Sequence, residues 1–502
     1  MDIIQIKTLG ELKKSGYSRL PVKDEIRKNL ILKMQSNRPR FEGILGYENT
    51  VLRDTETALL SRHNILYLGL RGQAKTRIAR QMTELLDEYI PIVKGSEIND
   101  DPFRPISKYA VQLLEKEGDN TPIEWLHRSQ RYGEKLATPD VSVADLIGDI
   151  DPIKAANLKL SFSDEEVIHY GIIPRSNRGI FVINELPDLQ ARIQVSLFNI
   201  LQEGDIQIRG FRLRMPLDIL FVFTANPEDY TNRGSIVTPL KDRIESQILT
   251  HYPKDLETAL QITAQEAAIL PEQIQHVAIA DVLKRIVEQI AFEARSSEFI
   301  DKKSGVSARL PIAALENLAS YAERRAIINK EKETQAWISD LTGIIPAITG
   351  KIELVYEGEQ EGPYQVALNL LDKAIRTQFI QYFPAPEKQR TPTGKASQSA
   401  HPKENPYRKI IQWFDAGNAV DIFTDMKDSE RVEALYAVDG LYGVVKQYYP
   451  RAKEKENALL MEFVLHGLAS HSLISKKNIE GKIHFNDLIG SMMNFDLGDE
   501  DE

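Results

Sequence analysis

The stretch Gly69-Leu70-Arg71-Gly72-Gln73-Ala74-Lys75-Thr76 places two glycines, an ammonium and a hydroxyl between an apolar run, Ile65–Leu68, and a segment whose spacing predicts a helix over Arg77 to Glu88. Those residue types suit a phosphate. Glycines let backbone N–H groups curl around phosphate oxygens with no Cβ in the way. The first turn of a helix adds unpaired N–H donors and a favourable dipole. Lys75 would neutralise phosphate charge, and the Thr76 hydroxyl would ligate Mg²⁺. Ala74 stands where a strict phosphate-binding loop has its second glycine. Taken alone, the stretch also fits a plain strand–turn–helix with a chance Lys-Thr.

Two further apolar runs end in polar residues. Ile180-Phe181-Val182-Ile183 leads into Asn184-Glu185. ATPases with a loop of this kind carry Asp-Glu there, the Asp holding a water on Mg²⁺ and the Glu activating the attacking water. Here Glu185 takes the place of the base. Asn184 can accept a hydrogen bond from a metal-bound water but brings no charge, so weaker metal binding or slower turnover is expected. Alone, the pair fits a solvated turn equally well. Ile219–Phe223 continues into Thr224-Ala225-Asn226-Pro227. Asn226 follows the strand where a γ-phosphate or its attacking water could lie, and Pro227 ends the ladder. Arg243 comes later in Pro239-Leu240-Lys241-Asp242-Arg243, and Arg309 opens a helix at Ser307-Ala308-Arg309. A guanidinium stays charged and grips phosphate bidentately, although an isolated arginine is more often a surface ion pair.

These runs must be neighbours for such chemistry. From about 41 to 253, short apolar runs alternate with amphipathic stretches, which predicts a parallel sheet flanked by helices. Ligands of such sheets lie at the carboxyl ends of the strands. Residues 1–40 read as short helices leading in. From 254 to 383 the spacing turns helical: Val282, Leu283, Ile286, Val287 and Ile290 share one face, as do Leu315, Leu318, Ala319 and Ala322. Residues 384–406, rich in Pro, Ser, Thr and Lys, read as a linker. Residues 407–502 read as a small, mostly helical C-terminal domain with an acidic end.

The bulk numbers bound the function. The 502 residues are 42% hydrophobic and 27% charged, ordinary for a soluble globular protein. A formal net charge of −10 argues against a dedicated nucleic-acid surface. The sequence has no cysteine, which excludes disulfides, Cys-ligated zinc and thiol catalysis. His466 and His471 lack the spacing of a helical metal pair and read as ordinary helix residues. The N-terminus lacks the basic start and apolar stretch of a signal peptide. No apolar run approaches the ~20 residues needed to span a bilayer. A cytoplasmic location is expected.

The ordered set resembles AAA+ ATPases of the magnesium chelatase I-subunit and MoxR branch, over roughly residues 40–330. Alanine before Lys75 resembles the loop of MoxR-type ATPases and minichromosome maintenance helicases. Gly179-Ile-Phe-Val-Ile-Asn-Glu-Leu-Pro-Asp-Leu189 resembles the second nucleotide motif of the chelatase subunit, and Thr224-Ala-Asn-Pro-Glu228 its first sensor. Leu240-Lys-Asp-Arg243 resembles its arginine-finger region, and Arg309 matches the second sensor. Asn184 is the chief departure. The resemblance implies an AAA+ P-loop NTPase core, a helical lid domain, and ATP with Mg²⁺ as cofactors. Residues Gly69 to Thr76 would bind phosphate, Thr76 and Asn184 the metal. Glu185 would be the base, Asn226 the γ-phosphate sensor, Arg243 a finger into a neighbour's site and Arg309 the coupling to the lid. It also implies hairpin insertions within about 151–173 and about 204–217, the second carrying Arg209, Arg212 and Arg214 around Gly210. That hairpin fits a pore or partner contact, or a solvated face. The implied assembly is a hexameric ring of this chain working with a von Willebrand A domain protein. The part beyond 406 is not covered by the resemblance and lacks an Asp-x-Ser-x-Ser metal motif. A remodelling motor leads. A chelatase motor subunit, a slow nucleotide-gated scaffold and a transcription-regulating ATPase are the alternatives, the last without a Gly-Ala-Phe-Thr-Gly-Ala loop.

Overall fold

A computed structural model describes residues 3–161, 164–208, 214–227, 235–386, 405–479 and 481–488. The chain divides into two compact units, residues 1–252 and 253–502.

The first unit is built on five parallel strands. In chain order they are β1 (Ile65–Leu68), β2 (Tyr132–Leu136), β3 (Gly179–Asn184), β4 (Ile219–Ala225) and β5 (Ser246–Leu249). They lie side by side as β5-β1-β4-β3-β2. The three apolar runs of the sequence are the three central strands of a parallel α/β sheet, as expected. They are apolar throughout because both faces are covered. Successive side chains alternate between faces. Ile65, Tyr67, Ile180, Val182, Leu220 and Val222 pack toward helices Val22–Gln35, Val51–Leu60 and Lys75–Gln81. Leu66, Phe181, Ile183, Phe221 and Phe223 enter the opposite core with Ile193, Leu197 and Leu240.

The helix after the loop is shorter than the spacing suggested. It runs Lys75–Gln81, tightens into a 3-10 turn at Met82–Leu85, and Leu86 is already extended. Leu85 and Leu86 are both buried, so the chain turns inward where a longer helix would point one of them to solvent. Gly148–Ile150 and Ile168–Tyr170 pair antiparallel around a short helix, Pro152–Leu158, the second strand falling inside the range of the first expected insertion. Asp205–Gln207 pairs with Arg214–Pro216 at the base of the second. Arg209, Gly210 and Arg212 lie outside the described residues, as does Glu228. Arg214 is exposed, 3.7 Å from Asp205.

The N-terminal helix is part of this unit's core. Val22, Ile26 and Leu30 pack against the sheet. On the same helix the buried Glu25 carboxylate accepts both terminal nitrogens of Arg131 at 2.7 Å, and the Arg131 Nε donates to the Arg178 carbonyl.

The second unit is mainly helical. Helices Asp281–Ser296, Arg309–Asn329, Pro363–Tyr382 and Glu454–Ser470 contribute to one continuous core. Most of the expected linker, residues 387–404, lies outside the described residues. The chain on its two sides shares one core: the Phe379 ring lies 6.0 Å from Tyr407 and 5.6 Å from Phe463. The segment after 406 therefore packs with the helices that precede the expected linker. It also holds a three-stranded antiparallel sheet, with Lys482–Asn486 between Val420–Phe423 and Ser475–Ile479. Among the described residues no helix is long and apolar enough to cross a membrane.

Buried charge sets two stability outcomes. Glu25→Gln leaves Arg131 buried without its counterion, so a loss of about 3–5 kcal/mol is expected, read as a lower urea midpoint for the first unit. Glu288, on Asp281–Ser296, is 2% exposed and its Oε1 has no hydrogen-bond partner. Burial raises its carboxyl from 4.5 to about 7. Its ionisation costs nothing at a pH below the ordinary value, where folded and unfolded chains are both protonated. The cost grows as pH rises through the folded value, toward roughly 3 kcal/mol. Glu288→Gln should therefore raise the melting temperature at about pH 8.5 and barely change it at about pH 4.5. Equal melting of variant and parent at the higher pH contradicts this.

Candidate active site

The loop after β1 is braced by the chain just beyond β5. The Thr250 hydroxyl donates to Gln73 Oε1 at 2.6 Å. The Tyr47 hydroxyl lies 3.1 Å from the Gln73 carbonyl and 2.6 Å from that of His251. The Tyr252 hydroxyl donates to the Arg71 carbonyl at 3.0 Å, and the Gly69 N–H to Ala225 at the end of β4. Gly72 and Ala74 both have left-handed backbones, with φ of 71° and 57°. Ala74 thus holds a backbone conformation that favours glycine, at a cost of roughly 1–2 kcal/mol.

Strand alternation then selects the loop's partners. Asn184 continues the face of Ile180 and Val182, and Thr224 that of Leu220 and Val222, the face on which helix Lys75–Gln81 packs. The Thr76 and Thr224 hydroxyls both donate to Asn184 Oδ1, each at 3.1 Å. Asn184 Nδ2 donates to Glu134 Oε1 at 2.7 Å. The amide is oriented by these partners, because a carboxylate can only accept. Arg80 grips the Glu134 carboxylate through Nε and Nη2 at 2.9 and 3.1 Å, and the Tyr132 hydroxyl donates to it at 2.9 Å. Burial pushes the Glu134 carboxyl up, but the hydrogen bonds from Arg80 and Tyr132 outweigh it and hold it below the usual carboxylate range.

Lys75 Nζ donates to Asn226 Oδ1 at 2.6 Å, to the Leu70 carbonyl at 3.2 Å and to the Gly69 carbonyl. Asn226 Nδ2 donates to Glu185 Oε2 at 2.9 Å, and the Glu185 N–H to the Thr224 hydroxyl at 3.2 Å. Glu185 has a left-handed backbone, φ 55°, which turns the chain out of β3 into the 3-10 turn Leu186–Asp188. Lys75, Thr76, Asn184, Glu185, Thr224 and Asn226 are therefore joined in one circuit at the carboxyl ends of β1, β3 and β4.

That circuit suits a phosphate chain with a hard cation. Its acceptors near Thr76 are all oxygens, which Mg²⁺ prefers, and one or two such groups suffice when phosphate supplies the others. Among the described residues no three Asp, Glu, His or Cys side chains cluster as a self-sufficient metal centre.

Arg243 is not part of the circuit. Its guanidinium bonds Gln202 Oε1 at 3.0 and 2.8 Å and the Pro239 carbonyl at 2.7 Å, and stacks over Phe198. Arg309 belongs to the second unit, where it is exposed at the start of Arg309–Asn329 and its N–H donates to Ser307 Oγ. Sequence reasoning missed Glu134, Thr224 as a connector, and the Thr250–Gln73 brace. Glu134 sits in a short polar strand with no apolar run to announce it. Only the pairing of β2 with β3 brings it to Asn184.

The chain is similar in part to several known proteins. Residues 157–248 match the family model of the Sigma-54 interaction domain. The chain is 25% identical over 232 residues to the magnesium-chelatase 38 kDa subunit of Cereibacter sphaeroides, covering 45% of this chain and 63% of that protein. It is 25% identical over 226 residues to the same subunit of Rhodobacter capsulatus, covering 44% and 59%. The chain thus spans about three fifths of the length of these curated relatives. Among solved structures it is similar to a chain of the complex between subunits BchI and BchD of magnesium chelatase, at 19% identity and TM-score 0.34, over 64% of this chain and 99% of that one. NtrX from Brucella abortus in complex with ATP is similar at 13% identity and TM-score 0.37, over 70% and 66%.

The tight start of the loop gives a stability test. A Cβ on Gly69 overlaps Thr250 Oγ1 and Gln73 Oε1, which hold each other. Gly69→Ala is expected to cost about 1–3 kcal/mol, seen as a lower melting temperature. Adding Thr250→Ala should return part of it. No recovery in the double variant would place the strain elsewhere.

Proposed function

We propose that this chain, an AAA+ protein of the magnesium chelatase I-subunit branch, binds ATP with Mg²⁺ at the Lys75–Asn226 circuit and hydrolyses it to remodel a partner protein. The observation that carries this reading is the convergence of Lys75, Thr76, Asn184, Glu185 and Asn226 in one hydrogen-bonded set.

Each side chain has a task that its position allows. Residues Gly69 to Ala74 curl their N–H groups toward phosphate oxygens, and the start of Lys75–Gln81 favours negative charge. The Lys75 ammonium exchanges the carbonyls of Gly69 and Leu70 for β- and γ-phosphate oxygens. Mg²⁺, when bound, neutralises the charge that builds on those oxygens during transfer. Thr76 and Asn184 offer it their oxygens. Glu185 orients a water in line with the γ-phosphate and takes its proton. Asn226 holds the Glu185 carboxylate through Nδ2 and the lysine through Oδ1, so it couples the base to the phosphate end of the site. Arg243 would act on the site of a neighbouring copy in a hexameric ring, and Arg309 would transmit nucleotide state through the lid. The partner proposed is a von Willebrand A domain protein, and the compartment the cytoplasm.

Asn184 favours a second reading, a scaffold that binds ATP and scarcely turns it over, because its amide brings no charge to the metal. Service as the motor of a metal chelatase is a third, supported by the 38 kDa subunits.

Steady-state ATPase and ATP binding on the parent, Asn184→Asp and Glu185→Gln separate them. A motor should lose turnover about 100-fold or more in Glu185→Gln and keep its ATP affinity. Equal silence of all three with intact binding favours the scaffold. Absence of ATP binding by the parent removes the reading altogether. A pull-down from the source cell that returns a von Willebrand A protein supports remodelling, and one that returns a tetrapyrrole-binding subunit supports chelation.

A further inference from the structure

We infer that Glu134 is a metal-positioning residue: it supplies, from the neighbouring strand and through the Asn184 amide, the negative charge that Asn184 lacks. The inference rests on the nucleotide-binding reading and concerns how that same site holds its cation.

The geometry begins with register. β2 pairs parallel with β3, with Glu134 opposite Val182 and Leu136 opposite Asn184. Alternation turns Glu134 to the face shared by Val182 and Asn184, within 2.7 Å of the Asn184 amide nitrogen. Asn184 is buried at 8% exposure. Its donor end is committed to Glu134 and its acceptor end to Thr76 and Thr224. An Asp at 184 would set one carboxylate oxygen against another at the place where the amide now donates, and like charges at that separation repel. Asn184 and Glu134 are therefore a matched pair. The charge usual at the end of β3 stands instead one strand away.

The amide passes the effect on. A carboxylate accepting from Nδ2 polarises the amide and strengthens Oδ1 as an acceptor, and Oδ1 is the atom beside Thr76. Arg80 binds the same carboxylate, but its side chain is 63% exposed, where solvent screens an ion pair heavily. Arg80 and Tyr132 fix the carboxylate's orientation, and its influence on the interior remains.

The test uses the full chain and reads metal affinity, with Mn²⁺ as the probe. Mn²⁺ binding to the protein–ADP complex is followed by electron paramagnetic resonance, and ADP binding is measured separately in EDTA. Glu134→Gln is expected to weaken Mn²⁺ binding about 10–100-fold, as loss of an outer partner of a metal ligand does, while metal-free ADP affinity changes less than about threefold. Glu134→Gln combined with Asn184→Asp reverses donor and acceptor in the same bond and returns the charge to position 184. It should recover most of the Mn²⁺ affinity. Arg80→Ala, which keeps the Glu134 charge, should leave Mn²⁺ affinity within about threefold of the parent. Parent-like Mn²⁺ affinity in Glu134→Gln, or a double variant no better than the single, overturns the inference. So does a loss in Arg80→Ala equal to that in Glu134→Gln, which would make the group a structural clamp. If the parent binds no ADP in EDTA, the nucleotide reading falls and takes this one with it.

Discussion

A side-chain amide accepts at one end and donates at the other, and the site is arranged around that polarity at Asn184. Its oxygen gathers the hydroxyls of Thr76 and Thr224, and its nitrogen is given to Glu134. Turning the amide over would put its oxygen against a carboxylate and its nitrogen among the hydroxyls. Four separate stretches of chain thus meet at one group: the loop helix, β2, β3 and β4. None is fixed by sequence proximity. They meet because the parallel register sets the strand ends side by side and the pleat turns Glu134, Asn184 and Thr224 to one face. A register slip of one residue would send each of them into the opposite core.

How much of this can be read from the residues depends on how loudly each segment declares itself. β1, β3 and β4 are continuous apolar runs ending in polar residues, so the strands and the polar residues at their carboxyl ends are legible. Lys75, Thr76, Glu185 and Asn226 are located from those runs by position alone. β2 is different: Tyr132–Leu136 is polar and lies at the sheet edge, and nothing in its pattern separates it from a loop. Glu134 is therefore invisible until pairing is known. A loop helix reaching Glu88 is too long because Leu85 and Leu86 fit a helical spacing, and only the core shows that both turn inward. Arg243 and Arg309 stand out by order along the chain. In the structure the Arg243 guanidinium is held by Gln202 and Pro239 and Arg309 is exposed, and their proposed work belongs to an assembly.

The second unit shows the same limit in another form. Helical periodicity marks Asp281–Ser296 and Arg309–Asn329 correctly, but a compositional break near 384 suggests independence for the segment beyond 406. Buried polar contacts cross that break. Arg325 bonds Asp428 at 2.7 Å and Asp340 at 3.2 Å, and the Trp337 Nε1 donates to Asp428 at 2.8 Å. The buried Glu462 accepts the N–H groups of Ile338 and Ser339, each at 3.1 Å, and lies 3.6 Å from Arg431. Burial raises the Glu462 carboxyl, and the surrounding donors make its placement tolerable. Hydropathy carries no trace of such pairings, because each partner reads alone as an ordinary surface charge.

The Glu25–Arg131 pair bears on how the molecule can be cut. Arg131 immediately precedes β2, and the helix that neutralises it lies far upstream of the phosphate loop. A fragment begun at the loop's own strand, or at residue 41 where the α/β alternation starts, would leave a bare guanidinium in the interior at the root of the strand that bears Glu134. The smallest piece of this chain able to keep the Lys75–Asn226 circuit in shape therefore has to begin before residue 22, well ahead of any residue of that circuit.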